Sequence, residues 1–151
     1  MLTLKIGDKA PEFSGLDEQG NTICLATFKG KKLVVFFYPK ASTPGCTTEA
    51  CNLRDNYDMF LSKGYQIIGV SADTAKRQQN FKTKNELPYP LIADEDKTVI
   101  NAFGVWGPKK FMGREYEGIH RITFVIDENG LITDIITKVK TKFHADQILN
   151  K

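Results

Sequence analysis

The order of apolar and polar positions along the chain switches repeatedly between two periods, which predicts an α/β fold. Residues 33–38 and 65–70 are near-continuous apolar runs rich in β-branched and aromatic side chains, as in strands that are covered on both faces. Between them, apolar residues recur at spacings of three and four, which predicts a helix over residues 47–61. Gly64 follows this stripe and is expected to end the helix.

The other segments extend the same alternation. Turn residues at 17–21 and 127–130 predict hairpins, because glycine and asparagine tolerate the backbone angles of tight turns. The strands that these turns join are predicted over residues 13–16, 22–25, 121–126 and 131–138. A further strand is predicted over residues 90–93, and helices over residues 74–84, 97–103 and 143–149, the first with Asp73 as its N-cap. Residues 104–118 contain four glycines and are interpreted as a loop.

Strand–helix–strand alternation, followed by a hairpin and a final helix, predicts a thioredoxin-like fold. In this arrangement a mixed central sheet is flanked by helices, and the hairpin over residues 13–25 is an N-terminal β-hairpin extension. A chain of 151 residues is long enough to bury a sizeable core without disulfides or metals. We therefore expect residues 1–151 to form a single domain.

Composition and charge narrow the function classes. Hydrophobic residues make up 41% and charged residues 26% of the chain, and the formal net charge is +3, values typical of a soluble globular protein. The lysine clusters at residues 29–32 and 138–142 are short, so a nucleic-acid partner is not supported. We expect no membrane partner, because the sequence has neither a secretory signal pattern nor an apolar run of about 20 residues. Three cysteines, an odd number, indicate a reducing compartment, and we expect the protein to be cytoplasmic.

The segment PKASTPGCTTEAC, residues 39–51, carries two of the three cysteines, Cys46 and Cys51. Taken alone, this pair is compatible with a metal clip, a structural disulfide, two inert buried thiols or a reaction centre. Zinc needs four ligands, usually in close pairs, and the two histidines of the chain are distant in sequence. Dithiol exchange of the thioredoxin type would need a cysteine at position 49, which is Glu49. Spacing therefore argues against metal and against this exchange, but it does not choose between the remaining readings.

The position of Cys46 favours a reactive thiol. It follows a predicted central strand and stands at the start of the predicted helix, where unpaired N–H groups and the positive end of the helix dipole stabilise a thiolate. A free thiol titrates near about 8.5, and sites of this kind lower that value to roughly 3.5–7.5. Thr43 supplies a hydroxyl that can bond the sulfur or an incoming oxygen, and Pro44 fixes the turn.

The same residues resemble the active-site segment of the peroxiredoxins, which has the pattern Pro-x-x-x-Thr-x-x-Cys. Here the pattern is met by Pro39, Thr43 and Cys46. A second cysteine five positions later is similar to the bacterioferritin comigratory protein, or peroxiredoxin Q, subfamily. The resemblance covers nearly the whole chain, including GDKAPEFSGLDEQGN, GVSADT and FGVWGPKKFMGREYEGIHRITFVIDENG. One departure lies at Ala41 and Ser42, where many relatives carry an Asp or Asn.

This resemblance implies a division of roles among the site residues. Cys46 would be the peroxidatic cysteine, which attacks a hydroperoxide and becomes a sulfenic acid, and Cys51 would be the resolving cysteine, which forms an intrachain disulfide with it. Thr43 would bond the peroxide, and Arg121 would hold the thiolate and the developing charge. The backbone N–H groups near Gly45 and Cys46 would complete the cradle.

Two further residues are expected to support the site. Glu49 either bonds Arg121 and orients it or caps its own helix, and Pro39 packs the pocket wall and closes the strand. The resemblance implies no metal, haem or flavin cofactor, a hydroperoxide substrate and a thioredoxin or similar dithiol reductant. An intrachain resolving cysteine removes the chemical need for a dimer, so we expect a monomer.

Other chemistry-bearing residues are expected to lie outside the site. Cys24 is interpreted as a half-buried, inert thiol on a strand. His120 neighbours Arg121 on a predicted strand and should point to the opposite face, and His144 is expected to be solvated. The aromatic residues of the glycine-rich segment either wall the pocket or cover the core; they are Trp106, Phe111 and Tyr116.

Two rival functions remain beside the thiol peroxidase. One is a dithiol–disulfide oxidoreductase that acts on protein disulfides. The other is a redox-sensing or holdase binding module on the same fold, without meaningful turnover. A peroxide-consumption assay, compared with an insulin-reduction assay, distinguishes the thiol peroxidase from the dithiol–disulfide oxidoreductase. Sustained thioredoxin-dependent peroxide removal would exclude the binding module as the main activity.

Overall fold

The computed structural model describes residues 2–150 and has a five-stranded mixed sheet at its centre. The strands of this sheet lie in the order β5-β4-β3-β8-β9. They are β3 (Lys32–Phe37), β4 (Tyr65–Ser71), β5 (Leu91–Ala93), β8 (Thr123–Ile126) and β9 (Ile132–Ile136). Strands β3, β4 and β5 are parallel, whereas β8 pairs antiparallel with both β3 and β9.

Strands β3 and β4, near the middle of the sheet, are buried because both of their faces are covered. Leu33, Val35 and Phe37 belong to one apolar cluster, and Val34 and Phe36, which alternate with them, belong to a second cluster on the other face. Burial on both sides explains why β3 reads as a continuous apolar run rather than an alternating one. The predicted α/β class, with its central mixed sheet, is confirmed.

Helices lie on both sides of this sheet. They are α1 (Pro44–Asp55), α2 (Tyr57–Ser62), α3 (Ala75–Asn85), α4 (Thr98–Phe103) and α5 (His144–Leu149). The predicted continuous helix over residues 47–61 is wrong in two respects. It begins earlier, because Pro44 occupies the first helical position, where its missing N–H costs nothing. It is also interrupted at Asn56, which separates α1 from α2.

The predicted N-cap of α3 is also wrong. Thr74 caps this helix, and its side chain accepts a hydrogen bond from the Arg77 N–H at 3.2 Å. Asp73 is buried and accepts instead from the Ala41 N–H and from the Ser71 hydroxyl, each at 2.7 Å. This carboxylate therefore ties the turn before α1 to the end of β4.

Two hairpins lie outside the central sheet. The predicted N-terminal hairpin is confirmed, since β1 (Ser14–Leu16) and β2 (Thr22–Cys24) pair antiparallel. The loop predicted over residues 104–118 is wrong, because this segment forms a second hairpin of β6 (Trp106–Phe111) and β7 (Arg114–Ile119). Its tight turn has positive φ at Met112 (52°) and Gly113 (76°). The Met-Gly pair is an unusual signal for a turn of this kind, which favours Asn-Gly or Asp-Gly.

Candidate active site

Cys46 lies at the third position of α1, directly after the turn that follows β3. The first i→i−4 hydrogen bond of this helix runs from the Thr47 N–H to the Thr43 carbonyl at 2.9 Å. The N–H groups of Gly45 and Cys46 precede that bond and have no partner within the helix. The side chain of Cys46 is buried, so the helix N-terminus acts on its sulfur with little solvent screening.

Arg121 reaches both the thiol and a buried carboxylate. Its Nη2 donates to the Cys46 sulfur at 3.3 Å, and its Nη1 donates to Glu49 Oε1 at 2.7 Å. Burial works against the charged guanidinium, but the Cys46 and Glu49 partners outweigh it and raise the pKa of Arg121. The residue lies just before β8, which begins at Thr123, and not within the strand that was predicted over residues 121–126.

Gly45 leaves the space that Arg121 occupies. A Cβ atom at position 45 would lie 3.3 Å from Arg121 Nη2. This distance is tighter than ordinary van der Waals contact, so a side chain at position 45 would require the guanidinium to shift by a few tenths of an ångström. Glycine therefore contributes a close approach as well as its backbone N–H.

Glu49 is fully buried one turn after Cys46. Of the two expected roles, bonding to Arg121 is the one observed. Desolvation raises the pKa of this carboxyl to about 7 from 4.5, although the charge and the hydrogen bond of Arg121 oppose the shift.

His144 lies behind Glu49, and the expectation that it is solvated is also wrong. It is 0% exposed, with Nε2 2.7 Å from Thr123 Oγ1 and Nδ1 2.8 Å from Gln147 Oε1. Burial lowers the pKa of His144 to about 4, with a smaller lowering by Arg121, against the hydrogen bond to Gln147. The four-residue spacing to buried Ile148 was the available signal that His144 faces the core.

The turn before α1 positions the hydroxyl of Thr43. This hydroxyl donates to the Lys40 carbonyl at 2.8 Å and does not cap the helix. Its oxygen can still accept a hydrogen bond, because a hydroxyl has one donor and two acceptor sites. Ser42 has a φ of 67°, a left-handed conformation in which Asn and Asp are several-fold enriched.

Cys51 lies on the same helix as Cys46, and both are free thiols. The Cys51 sulfur is half-buried and lies 3.7 Å from Asn85 Oδ1. Five helical positions place two Cα atoms about 8.7 Å apart, beyond the roughly 4.4–6.8 Å of a disulfide. The intact helix therefore keeps the two cysteines from bonding.

The remaining candidates lie at the edge of the site or away from it. Cys24 is half-buried beside Thr27 Oγ1 at 3.5 Å, and this hydrogen bond lowers the pKa of its thiol. His120 Nε2 lies 3.0 Å from the Pro108 carbonyl. Pro39 is half-buried directly after β3. Of the three aromatic residues, Trp106 packs against the core, whereas the other two are exposed, namely Phe111 and Tyr116.

Sequence reasoning did not include Lys109 of β6 in the site. Its Nζ donates to the Ile119 carbonyl at 2.9 Å. Burial, followed by the charge of Arg121, lowers the pKa of Lys109, whereas the charge of Cys46 raises it. This residue adds a second cation near the thiol, and no local pattern distinguishes it from the exposed lysines of the chain.

Metal-ligating clusters and membrane-spanning helices are both absent from residues 2–150. Within that range, no three residues of the types His, Cys, Asp and Glu lie together so that they could hold a metal ion. No helix in the described part of the chain is long and apolar enough to cross a membrane.

A thiol at the start of the helix after the central strand of a thioredoxin-like fold, held by a guanidinium, defines the class of thiol-dependent redox proteins. The chain belongs to the AhpC/TSA family, whose sequence profile matches residues 6–135. The match covers both cysteines of the candidate site, Glu49 and Arg121.

The relatives of this chain are peroxiredoxins. It is 47% identical over 150 residues to peroxiredoxin Bcp of Escherichia coli strain K12, covering 99% of this chain and 96% of the relative. It is 44% identical over 148 residues to peroxiredoxin Bcp of Bacillus subtilis, covering 98% and 94%. A solved structure of the Xanthomonas campestris bacterioferritin comigratory protein, described for its alkyl peroxide reduction activity, superposes with a TM-score of 0.87 at 33% identity and covers 99% and 96%. The chain is therefore a peroxidase enzyme of the peroxiredoxin type.

The buried carboxyl and imidazole make a prediction about stability. Because the pKa of Glu49 is raised from 4.5 to about 7, the folded state holds this proton more tightly, and its contribution is lost as pH rises through that window. Because the pKa of His144 is lowered from 6.5 to about 4, its contribution is lost as pH falls through that window. The two slopes oppose each other between about 4.5 and 6.5.

Comparison with Glu49→Gln should isolate the part of the pH-dependent stability that comes from Glu49. We expect the free energy of unfolding of the native protein, minus that of the variant, to fall by about 1.4 kcal/mol per pH unit as pH rises from about 5 to about 7. Urea unfolding at matched ionic strength measures the difference, in which the contributions of groups that do not contact Glu49 cancel. A pH-independent difference would contradict the raised pKa.

Proposed function

We propose that the protein reduces hydrogen peroxide and organic hydroperoxides through a sulfenic acid on Cys46. The observation that carries the proposal is the 3.3 Å contact between Arg121 Nη2 and the Cys46 sulfur at the N-terminus of α1. A guanidinium and unpaired backbone N–H groups both favour a thiolate, which is the nucleophilic form.

The oxidation step follows from this geometry. The thiolate attacks one peroxide oxygen, an S–O bond forms, and the O–O bond breaks. The departing oxygen takes the electron pair and a proton, and leaves as water or an alcohol. Arg121 and the N–H groups of Gly45 and Cys46 stabilise the charge that develops, and the acceptor sites of the Thr43 hydroxyl are available to a peroxide O–H.

We further propose that Cys51 resolves the intermediate. Its thiol condenses with the Cys46 sulfenic acid, so that a disulfide forms and one water leaves. A dithiol of the thioredoxin type then reduces the disulfide and becomes oxidised itself. Because one chain holds both cysteines, the cycle needs no second subunit, and we propose a monomeric, single-domain enzyme that acts in the cytoplasm in antioxidant defence.

Resolution requires α1 to open between the two cysteines. The opening breaks the Glu49–Arg121 ion pair and the hydrogen bond from the Tyr89 hydroxyl to the Ala50 carbonyl at 2.7 Å. It also exposes Ala50, which is fully buried. These contacts set the cost of the opening.

Intact mass after one equivalent of hydrogen peroxide tests the resolution step. We expect the native protein to lose two hydrogens, because a disulfide forms. Cys51→Ser should instead gain one oxygen, because its sulfenic acid has no partner, whereas the matched Cys24→Ser variant should lose two hydrogens like the native protein. A Cys24–Cys46 bridge in peptide mapping would show that Cys24, and not Cys51, is the resolving cysteine.

Amide exchange tests the opening of the helix. We expect residues 46–51 to exchange faster in the oxidised protein than in the reduced one, with a lower helical signal in circular dichroism. α4 serves as the internal control, since it contains no cysteine and its buried residues belong to the core cluster on the other face of the sheet. An oxidised protein in which α1 stays protected would overturn the opening mechanism.

Insulin reduction distinguishes the peroxidase from a protein dithiol–disulfide oxidoreductase. We expect thioredoxin-dependent peroxide consumption to be sustained, and insulin reduction to be negligible. The physical reason is that α1 keeps the two thiols apart, so that the reduced protein has no adjacent second thiol with which to release a mixed disulfide.

A further inference from the structure

The buried face of α1 contains a polar atom without a hydrogen-bond partner. Glu49 Oε1 accepts from Arg121, whereas Oε2 is the one side-chain oxygen or nitrogen within the described residues that is buried and unbonded. His144 Nε2 lies 3.4 Å from it. Leaving a buried acceptor unpaired costs the desolvation of that group, and the cost is larger when the group is charged.

The hydrogen bonds around His144 determine which of its nitrogens carries a proton. The Gln147 side-chain N–H₂ donates to the Lys138 carbonyl at 3.0 Å, and its Oε1 accepts from the Lys140 N–H at 2.9 Å. The same Oε1 faces His144 Nδ1 at 2.8 Å. An oxygen can only accept, so Nδ1 carries a hydrogen. In a neutral ring, Nε2 then carries a lone pair, which faces both the Thr123 hydroxyl at 2.7 Å and Glu49 Oε2 at 3.4 Å.

Counting protons between these two atoms leaves one favourable arrangement. With no proton, a carboxylate oxygen and a nitrogen lone pair face each other in a buried site and repel. With two protons, an imidazolium lies near the Arg121 cation without a compensating carboxylate. One proton gives a single hydrogen bond and a pair of zero net charge. Thr123 Oγ1 accommodates either position of that proton, because a hydroxyl both donates and accepts.

We propose that Glu49 and His144 hold one proton in common in the reduced protein, and that this proton leaves the charge of Arg121 available to the Cys46 sulfur. The proposal rests on the role proposed above for Cys46. His144 acts through Glu49 and Arg121, so it is a positioning residue. The pair is neutral while it holds the proton, and the thiolate is then the anion that Arg121 compensates.

Loss of this proton changes how the guanidinium is shared. Once the pair is deprotonated, Glu49 becomes a carboxylate and competes with the sulfur for Arg121. The other titratable groups facing this cluster do not replace the proton. The Tyr89 hydroxyl donates to a carbonyl and has its pKa raised well above the usual value by burial, and Lys109 lies on the side of Arg121 and Cys46.

The proposal predicts a pH dependence for the reaction with peroxide. The pKa of Glu49, about 7, places the loss of the proton at neutral to mildly alkaline pH. Glu49→Gln holds the neutral arrangement at every pH, because its amide can accept from Arg121 and donate to His144 Nε2. We therefore expect the ratio of the native rate to the variant rate to fall about tenfold between pH 6 and pH 9, since one adjacent charge shifts such equilibria by one unit or more.

Single-turnover oxidation by hydrogen peroxide, followed by labelling of the remaining thiol, measures these rates. His144→Leu should move the fall to lower pH, because the protonated carboxyl loses its acceptor. Thr133→Val is the control, since it removes a hydroxyl that donates to the Val125 carbonyl and bonds neither His144 nor Glu49, and it should leave the pH profile unchanged. A native-to-variant ratio that stays constant with pH would overturn the proposal.

Spectroscopy of the reduced native protein tests the shared proton without reference to activity. We expect the infrared band of a protonated carboxyl that disappears above neutral pH and is absent from Glu49→Gln. Nitrogen-15 spectra should show a neutral His144 ring protonated at Nδ1, with His120→Gln used to assign the two histidines. A ring protonated at Nε2 alone, or a missing carboxyl band, would overturn the proposal. Turnover in Cys46→Ser would instead overturn the proposed function, and the two failures are therefore distinguishable.

Discussion

Cys46→Ser should abolish peroxide turnover. The substitution replaces a thiol with a hydroxyl of similar shape, so the buried position at the start of α1 is retained. The alkoxide is not accessible near neutral pH, and a neutral hydroxyl is a poor nucleophile. Neither Arg121 at 3.3 Å nor the helix N-terminus can therefore activate it. Thioredoxin-linked consumption of hydrogen peroxide is the measurement.

Cys24→Ser is the matched control for this loss. Cys24 is half-buried and bonds Thr27 Oγ1 within its own segment. We expect its turnover to stay near the native value, with at most a modest loss of stability from the added hydroxyl. Measurable turnover in Cys46→Ser, in a preparation free of native protein, would show that Cys46 is not the residue that reacts with peroxide.

Arg121→Ala should slow the first oxidation step by about 10²–10³-fold, the usual cost of removing one preorganised charge donor from a reacting centre. The effect has two sources in this site. The sulfur loses its guanidinium partner, and Glu49, fully buried, loses the cation bonded to its Oε1. The second-order rate constant with hydrogen peroxide should carry the loss. Reduction of an already formed disulfide by thioredoxin should change much less.

Two variants distinguish the effect of the guanidinium geometry at position 121 on the oxidation rate from the effect of positive charge alone. Arg121→Lys should recover part of the rate, because an ammonium supplies a charge but cannot fork to the sulfur and to Glu49 together. Arg114→Ala removes an exposed arginine of β7 and should leave the rate near the native value. An unchanged second-order rate in Arg121→Ala would return Arg121 to the role of a surface charge.

Local pattern was sufficient for the elements whose burial follows a regular period along the chain. The apolar runs that became β3 and β4 and the stripe that became α1 were recognisable because period and burial coincide in them. The spacing of Pro39, Thr43 and Cys46 was sufficient to place a thiol at the start of a helix. These features depend on residues within a few positions of one another.

Contacts between distant residues were decided by the tertiary structure. Arg121 and Cys46 are 75 positions apart, and Glu49 and Arg121 are 72 apart. Whether an arginine is a surface charge or a partner of the thiol depends on where the segment before β8 lies against α1. Asp73 likewise reads as a helix cap, but its carboxylate binds the Ala41 N–H, 32 positions away.

His144 shows most clearly why contacts between distant residues could not be predicted from local sequence. A histidine two positions before an exposed aspartate resembles a solvated residue, and the spacing to Ile148 is the one local signal that indicates otherwise. Its burial follows from the packing of α5 against α1, which brings Thr123 and Glu49 to its ring. Burying a polar group is favourable only when its partners are present, and here they come from three separate segments of the chain. The sequence by itself determined the strands of the central sheet and the place of Cys46 near the start of a helix, whereas the tertiary structure decided the hairpin of β6 and β7 and the burial of Glu49 and His144 beside that thiol.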